Sequence, residues 1–137
     1  MLNSAHEFAS GIKYVGKFGA RYLIEVDAEE TVRKLDPDFH ALRKLPGRGV
    51  VVTSIASSPG YDVVSRYFAP WVGVDEDPVP GSVHCCLGPF WGKRLGKQAL
   101  TAYQASARGG VIHIRLENAR VYLGGSAVTV FSGELCV

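Results

Sequence analysis

No run in this chain approaches the ~20 apolar residues needed to cross a bilayer, and charge of neither sign dominates. With 15 Lys and Arg against 13 Asp and Glu over 137 residues, the net charge is +2. That balance is too mild for a nucleic-acid surface, and the one cationic cluster, Lys93, Arg94 and Lys97, is explained by a helix C-terminus. Arg108-Gly109-Gly110 is a single turn and no arginine-glycine tract. Cysteine is scarce, at three. Cys85 and Cys86 are adjacent and poorly placed to pair, and Cys136 lies near the end, so no disulfide framework is expected and all three read as small buried hydrophobes. His84-Cys85-Cys86 does not make a metal site, because consecutive helical residues point about 100° apart and no C-x-x-C or H-x-x-x-H partner exists. The string from Gly92 to Lys97 has the wrong spacing for a phosphate loop and ends a helix instead of starting one. Internal repeats, low-complexity tracts and a signal-peptide pattern at Met1–Glu7 are also missing, which makes the cytoplasm the expected location, with no membrane and no nucleic acid as partners.

What is present is concentrated at residues 73–84, Gly-Val-Asp-Glu-Asp-Pro-Val-Pro-Gly-Ser-Val-His. Asp75, Glu76 and Asp77 bring three acids to one turn, and Pro78 and Pro80 stiffen it by fixing φ. Gly81 lets backbone approach a ligand closely, and Ser82 is placed to act as N-cap. A helix starting here aims its unpaired N–H groups and the positive end of its dipole at an anion in front of Gly81, Ser82 and Val83. Val83, Cys86, Leu87, Phe90, Trp91 and Leu95 share one apolar helical face, so the spacing predicts a helix over 82–95 with Gly96 as C-cap and a kink near Pro89. His84 falls one step off that face.

Elsewhere the pattern predicts strands at 22–26, 49–55, 61–68, 99–106, 111–117, 120–124 and 127–135, with short helices over 27–35 and 37–45. Turns are expected at Gly109-Gly110, Glu117-Asn118 and Gly124-Gly125. Strands around one buried helix read as α+β. Residues 1–19 read as an N-terminal extension or linker remnant and 20–137 as a single lobe.

The segment Asp-Glu-Asp-Pro-Val-Pro-Gly-Ser-Val-His at 75–84, with Val-Ser-Arg-Tyr-Phe-Ala-Pro at 64–70, Tyr-Gln-Ala-Ser-Ala-Arg-Gly-Gly at 103–110 and Val-Tyr-Leu-Gly-Gly-Ser-Ala-Val-Thr-Val-Phe-Ser-Gly-Glu-Leu at 121–135, resembles the C-terminal lobe of the phenazine-biosynthesis isomerase (PhzF-like) family. The resemblance implies a diaminopimelate-epimerase-like fold of two lobes, each a sheet wrapped around a central helix, with the active site between them. It also implies cofactor-independent proton transfer on a small carboxylic acid. Asp77 and His84 carry over as catalytic candidates, and Gly81, Ser82 and Val83 as the substrate or anion site. Two departures accompany it. The family's first-lobe glutamate and Gly-His loop have no counterpart, since Glu7 lacks the Ser-Glu-x-x-Phe spacing. Pro80 also stands where the family has threonine, which removes a hydroxyl and an N–H.

The expected function is therefore an isomerase or epimerase half-site, impaired as a single lobe and completed by a homodimer partner or a separate N-terminal lobe. The alternative is a non-catalytic half that binds a small anion or a partner protein. No cofactor or metal is implied.

Overall fold

The computed structural model describes residues 11–137; the readings made for residues 1–10, Glu7 included, lie outside the described residues. Eight strands form one mixed sheet: β1 (Ile12–Phe18), β2 (Arg21–Val26), β3 (Gly49–Ile55), β4 (Val63–Ala69), β5 (Val74–Asp77), β6 (Ala99–Gln104), β7 (Gly110–Glu117) and β8 (Arg120–Gly124). Their order is β1-β2-β3-β4-β6-β7-β8, with β5 branching off β4. The β2–β3 and β4–β6 pairs are parallel and the rest antiparallel. The helices are α1 (Glu29–Arg33), α2 (Phe39–Arg43) and α3 (Gly81–Leu95), with a 3-10 turn at Pro70–Val72. The α+β class expected from the sequence is the class observed. No helix among the described residues is long and apolar enough to cross a membrane.

The valine run of β3 is buried on both faces and divides the core in two. Val51 joins Val63, Tyr67, Leu100, Ala102 and Ile114 under Val83, Leu87 and Trp91 of α3. Val50 and Val52 face the other way, with Val64 and Phe68, toward Val32 of α1 and Phe39 and Leu42 of α2. Each fully buried aliphatic or aromatic side chain of α3 contributes about 1.5–3 kcal/mol, so the long helix is fixed chiefly by its sheet-facing residues. Trp91 Nε1 also donates to Thr53 Oγ1 at 3.0 Å, and Ser65 Oγ donates to the same oxygen at 2.9 Å, so the hydroxyls of β3 and β4 beneath Trp91 are paired.

Close packing explains two glycines of α3. A methyl group at Gly88 would press on Ile114, and one at Gly92 would overlap Leu116 and the backbone of Lys97. Gly96 ends the helix in the left-handed region at φ 64°, with its N–H bonded to the Gly92 carbonyl, as expected for a C-cap glycine. The helix runs uninterrupted through Pro89. Pro89 and Cys85 both lie on the exposed side, so the Cys85 carbonyl that the proline leaves without a donor lies on the solvent side of the helix.

Several expectations are corrected. Residues 12–18, assigned to an N-terminal extension, form β1 and pair antiparallel with β2 from Ile12↔Val26 to Phe18↔Arg21. Residues 74–77, read as loop, form β5 on the edge of β4. Residues 127–135 are not a strand: the chain after Gly124 has no regular structure, and Val128, Val130, Phe131 and Leu135 are 84–93% exposed. Neither Gly124 nor Gly125 has the positive φ of a tight hairpin turn, so the chain does not fold back onto β8. Cys85 and Cys136 are exposed, contrary to the reading as buried hydrophobes, and Cys86 is half-buried, which pushes its thiol pKa up.

Candidate functional site

The three acids of β5 reach different partners. Asp75 Oδ1 accepts from Arg43 Nη2 at 2.7 Å. Glu76 takes Arg66 in a two-toothed pair, Nε to Oε1 at 2.8 Å and Nη2 to Oε2 at 2.9 Å, and Arg66 Nη1 donates onward to the Leu35 carbonyl at 2.7 Å. This half-buried fork ties β4 and β5 to the chain following α1, and bidentate geometry makes it stronger than a surface pair. Asp77 alone among the three forms no ion pair with the described residues. Its Oδ1 accepts the Val79 N–H at 3.1 Å, an Asx turn that carries the chain from β5 into the two prolines.

The start of α3 follows directly. Pro80 is the N-cap residue, with extended φ −78° and ψ 110°, and no side chain caps the helix. Ser82 lies inside the first turn and is exposed, so the N-cap role expected for it is corrected to Pro80. The reason is local: Pro80 has a fixed φ and no N–H to satisfy, so the N-cap falls two residues earlier than the serine predicts. The N–H groups of Gly81, Ser82 and Val83 belong to the first turn, where an α-helix leaves them without intrahelical acceptors. The space where a side chain of Gly81 would stand is open, with no atom within 4 Å. The approach to the helix end is therefore unobstructed at that point.

His84 is fully buried, not at the margin of the apolar face. Its Nδ1 lies 2.7 Å from the Pro80 carbonyl, and since a carbonyl can only accept, Nδ1 carries the proton and Nε2 a lone pair. Burial pushes its pKa down, and the Pro80 carbonyl and the charge of Asp77 oppose that only in part. The ring is thus neutral near pH 7. Among the described residues Nε2 has no partner, and neither polar atom of the fully buried Gln104 amide has one. Gln104 closes β6 opposite Gly110 of β7, and Val79 packs against Gly110. Ser106 Oγ reaches the Pro78 carbonyl at 2.8 Å. The end of β6 and the loop behind it thus support the 78–80 turn from beneath.

The residues singled out in the sequence lie along one continuous stretch and fall in two layers: Gly81 and Ser82 are exposed and Asp77 is half-buried, while the side chains of Val83 and His84 are buried beneath them. Sequence reading missed the supporting contributions of Arg43, Arg66, Gln104 and Ser106, which arrive from distant segments and carry no local signal. It also missed Glu29, a buried carboxylate in α1 that accepts from Ser57 N (2.7 Å), Ser58 N (2.9 Å), Ser58 Oγ (2.7 Å) and Arg33 Nε (2.7 Å). Burial alone would raise its pKa, but these donors outweigh burial and hold it at about 2. Among the described residues no group of three or more His, Cys, Asp or Glu is arranged to hold a metal ion.

The family model described as phenazine biosynthesis-like protein, PhzC-PhzF, matches residues 5–133. An uncharacterized isomerase of Halalkalibacterium halodurans is 52% identical over 122 residues, covering 89% of this chain and 46% of the relative. An uncharacterized isomerase of Pseudomonas aeruginosa is 51% identical over 131 residues, covering 94% and 49%. The crystal structure of a PhzF-family protein from Enterococcus faecalis superposes with a TM-score of 0.80 at 40% identity, over 92% of this chain and 48% of that one. The chain spans about half the length of the curated relatives it matches.

Proposed function

Because the chain belongs to the phenazine biosynthesis-like (PhzC-PhzF) family, we propose that it forms one half of an isomerase site that moves a proton on a small carboxylic acid without a cofactor. The observation that carries this reading is the sorting of the three acids: Asp75 and Glu76 are neutralised by Arg43 and Arg66, while Asp77 stands unpaired beside the first turn of α3. The N–H groups of Gly81, Ser82 and Val83, with the helix dipole behind them, hold the substrate carboxylate. Asp77 then abstracts or returns the proton at the neighbouring carbon. His84 supports the site from below: neutral and buried, it holds the Pro80 carbonyl and so fixes the turn joining Asp77 to the helix.

A proton transfer of this kind needs a second acid or base across the substrate, and the proposal draws it from a second lobe, either another copy of this chain or a separate N-terminal lobe. In a homodimer two copies of Asp77 would face the same substrate, and like carboxylates brought close share a proton. Such a site is slower than one with two different acids in tuned positions, and the proposal includes impaired turnover. It places the reaction in the cytoplasm.

The exposed segment after Gly124 favours a second reading, a non-catalytic half whose role is to bind a partner chain. Solvent deuterium exchange separates the two. The full chain, alone and mixed with the N-terminal half of the Halalkalibacterium relative, is incubated in D2O with 2-hydroxy, 2-amino and unsaturated carboxylic acids and followed by NMR. Incorporation of deuterium at one carbon of one acid class supports the isomerase reading, and no incorporation in either mixture supports the binding reading.

A further inference from the structure

Residues 127–135, Ala-Val-Thr-Val-Phe-Ser-Gly-Glu-Leu, have the composition of a strand and the environment of none. Val128, Thr129, Val130 and Phe131 are strong strand formers, yet Val128, Val130 and Phe131 are 84–90% exposed and Leu135 is 93% exposed. An apolar, β-branched run left extended in water is a template for pairing with another chain. It cannot form a tight hairpin with β8, because Gly124 and Gly125 lack the positive φ that such a turn requires. The segment lacks a partner within its own fold, not the capacity to form a strand.

The opposite edge of the sheet has the matching deficit. β1 is a terminal strand of the sheet, bonded only to β2 among the described residues, and Ile12, Tyr14 and Val15 are 37%, 42% and 58% exposed. Natural sheets blunt such edges or cover them. The charges also fit. β1 carries Lys13 and Lys17 and no acid, whereas residues 126–137 carry Glu134 and no base. β1 has seven residues, a length that residues 127–133 match.

We propose that residues 127–135 are a strand donated in trans, which adds to the β1 edge of a second copy of this chain while the second copy returns its own. Reciprocal exchange gives a closed twofold dimer in which backbone bonds supply the affinity and the alternate side chains and lysines set the register. The inference rests on exposure and edge chemistry and is independent of any catalytic role for Asp77.

The test is sedimentation equilibrium at micromolar concentration under reducing conditions, so that Cys136 forms no bridge. The full chain is compared with a chain ending at Gly125 and with full-length Val130→Pro, which removes one strand N–H. The inference requires a dimer for the full chain and monomers for both variants, each still unfolding cooperatively. Lys17→Glu weakens self-association about 2- to 5-fold, and Glu134→Lys in the same chain restores it. A monomeric full chain, or dimers that persist in both variants, overturns the proposal. Capture of the segment by the N-terminal half of the Halalkalibacterium relative, with copies of this chain remaining monomeric together, assigns the strand to another lobe and overturns it as well.

Discussion

His84 Nδ1 donates to the Pro80 carbonyl at 2.7 Å, so the residue that caps α3 is held by a buried ring one turn into the same helix. The bond fixes both the tautomer of His84 and the direction in which the chain enters the helix. Asp77 lies three residues before Pro80, and its position depends on that entry.

Replacing His84 with alanine should cost about 2–4 kcal/mol, from the buried volume lost and the Pro80 carbonyl left unpaired. The pH dependence carries a second signature. The folded pKa of His84 is lowered by burial, so as pH falls through about 6.5 the unfolded chain takes the proton first. Its contribution is complete above that value and declines below it. Urea midpoints should fall between pH 8 and pH 5, and this part of the fall should be missing in His84→Phe; an unchanged slope in the variant would assign the acid sensitivity elsewhere.

Glu29 predicts a loss at lower pH. Its carboxylate, held at about 2, favours the folded state above the ordinary carboxylate range, and the contribution is lost as pH falls from about 4.5 through about 2. The difference corresponds to something on the order of 3 kcal/mol. Glu29→Gln should lower stability at pH 7 by about 2–3 kcal/mol, since Gln cannot accept all the donors gathered from Ser57, Ser58 and Arg33. The loss should shrink at pH 2.5 in denaturant titrations.

Ser82→Ala is expected to change stability by less than about 0.5 kcal/mol, because the serine makes no cap bond and is exposed. A Ser82 that capped the helix would cost about 1 kcal/mol, so the size of the change separates the two arrangements. Gly92→Ala should cost about 1–3 kcal/mol, because its methyl group overlaps Leu116 and the Lys97 backbone. Thermal unfolding of both variants, each compared with the unsubstituted chain, measures the two effects.

What could be read in the sequence was what local pattern dictates. The unbroken valines of β3, the apolar face from Val83 to Leu95 and the glycine at its end placed those elements to within a residue or two. β1 was missed because Lys13, Gly16 and Lys17 interrupt its apolar alternation and it is exposed on both faces, so no periodicity marks it. The strand forecast at 127–135 failed for the opposite reason: the pattern is strand-like, but pairing requires an edge the fold does not supply to that segment. His84 was misplaced because Gly88 and Gly92, four and eight residues further on, share its buried face but carry no apolar side chain that would mark that face in the sequence. The distribution of Asp75, Glu76 and Asp77 among Arg43, Arg66 and the Val79 N–H depends on residues up to 32 positions away in the chain, beyond the reach of any local motif.

The central claim, that the first turn of α3 beside Asp77 is a carboxylate site, is tested most directly by following backbone amides in 15N NMR while a small carboxylate such as lactate or malate is added. The account predicts that the largest, saturable shifts fall on Gly81, Ser82 and Val83, with smaller ones at Val79. Asp77→Asn should strengthen binding by removing a like charge while abolishing deuterium exchange in the complemented chain. Shifts spread evenly over the protein surface, or absent from residues 79–83 at millimolar ligand, would contradict it.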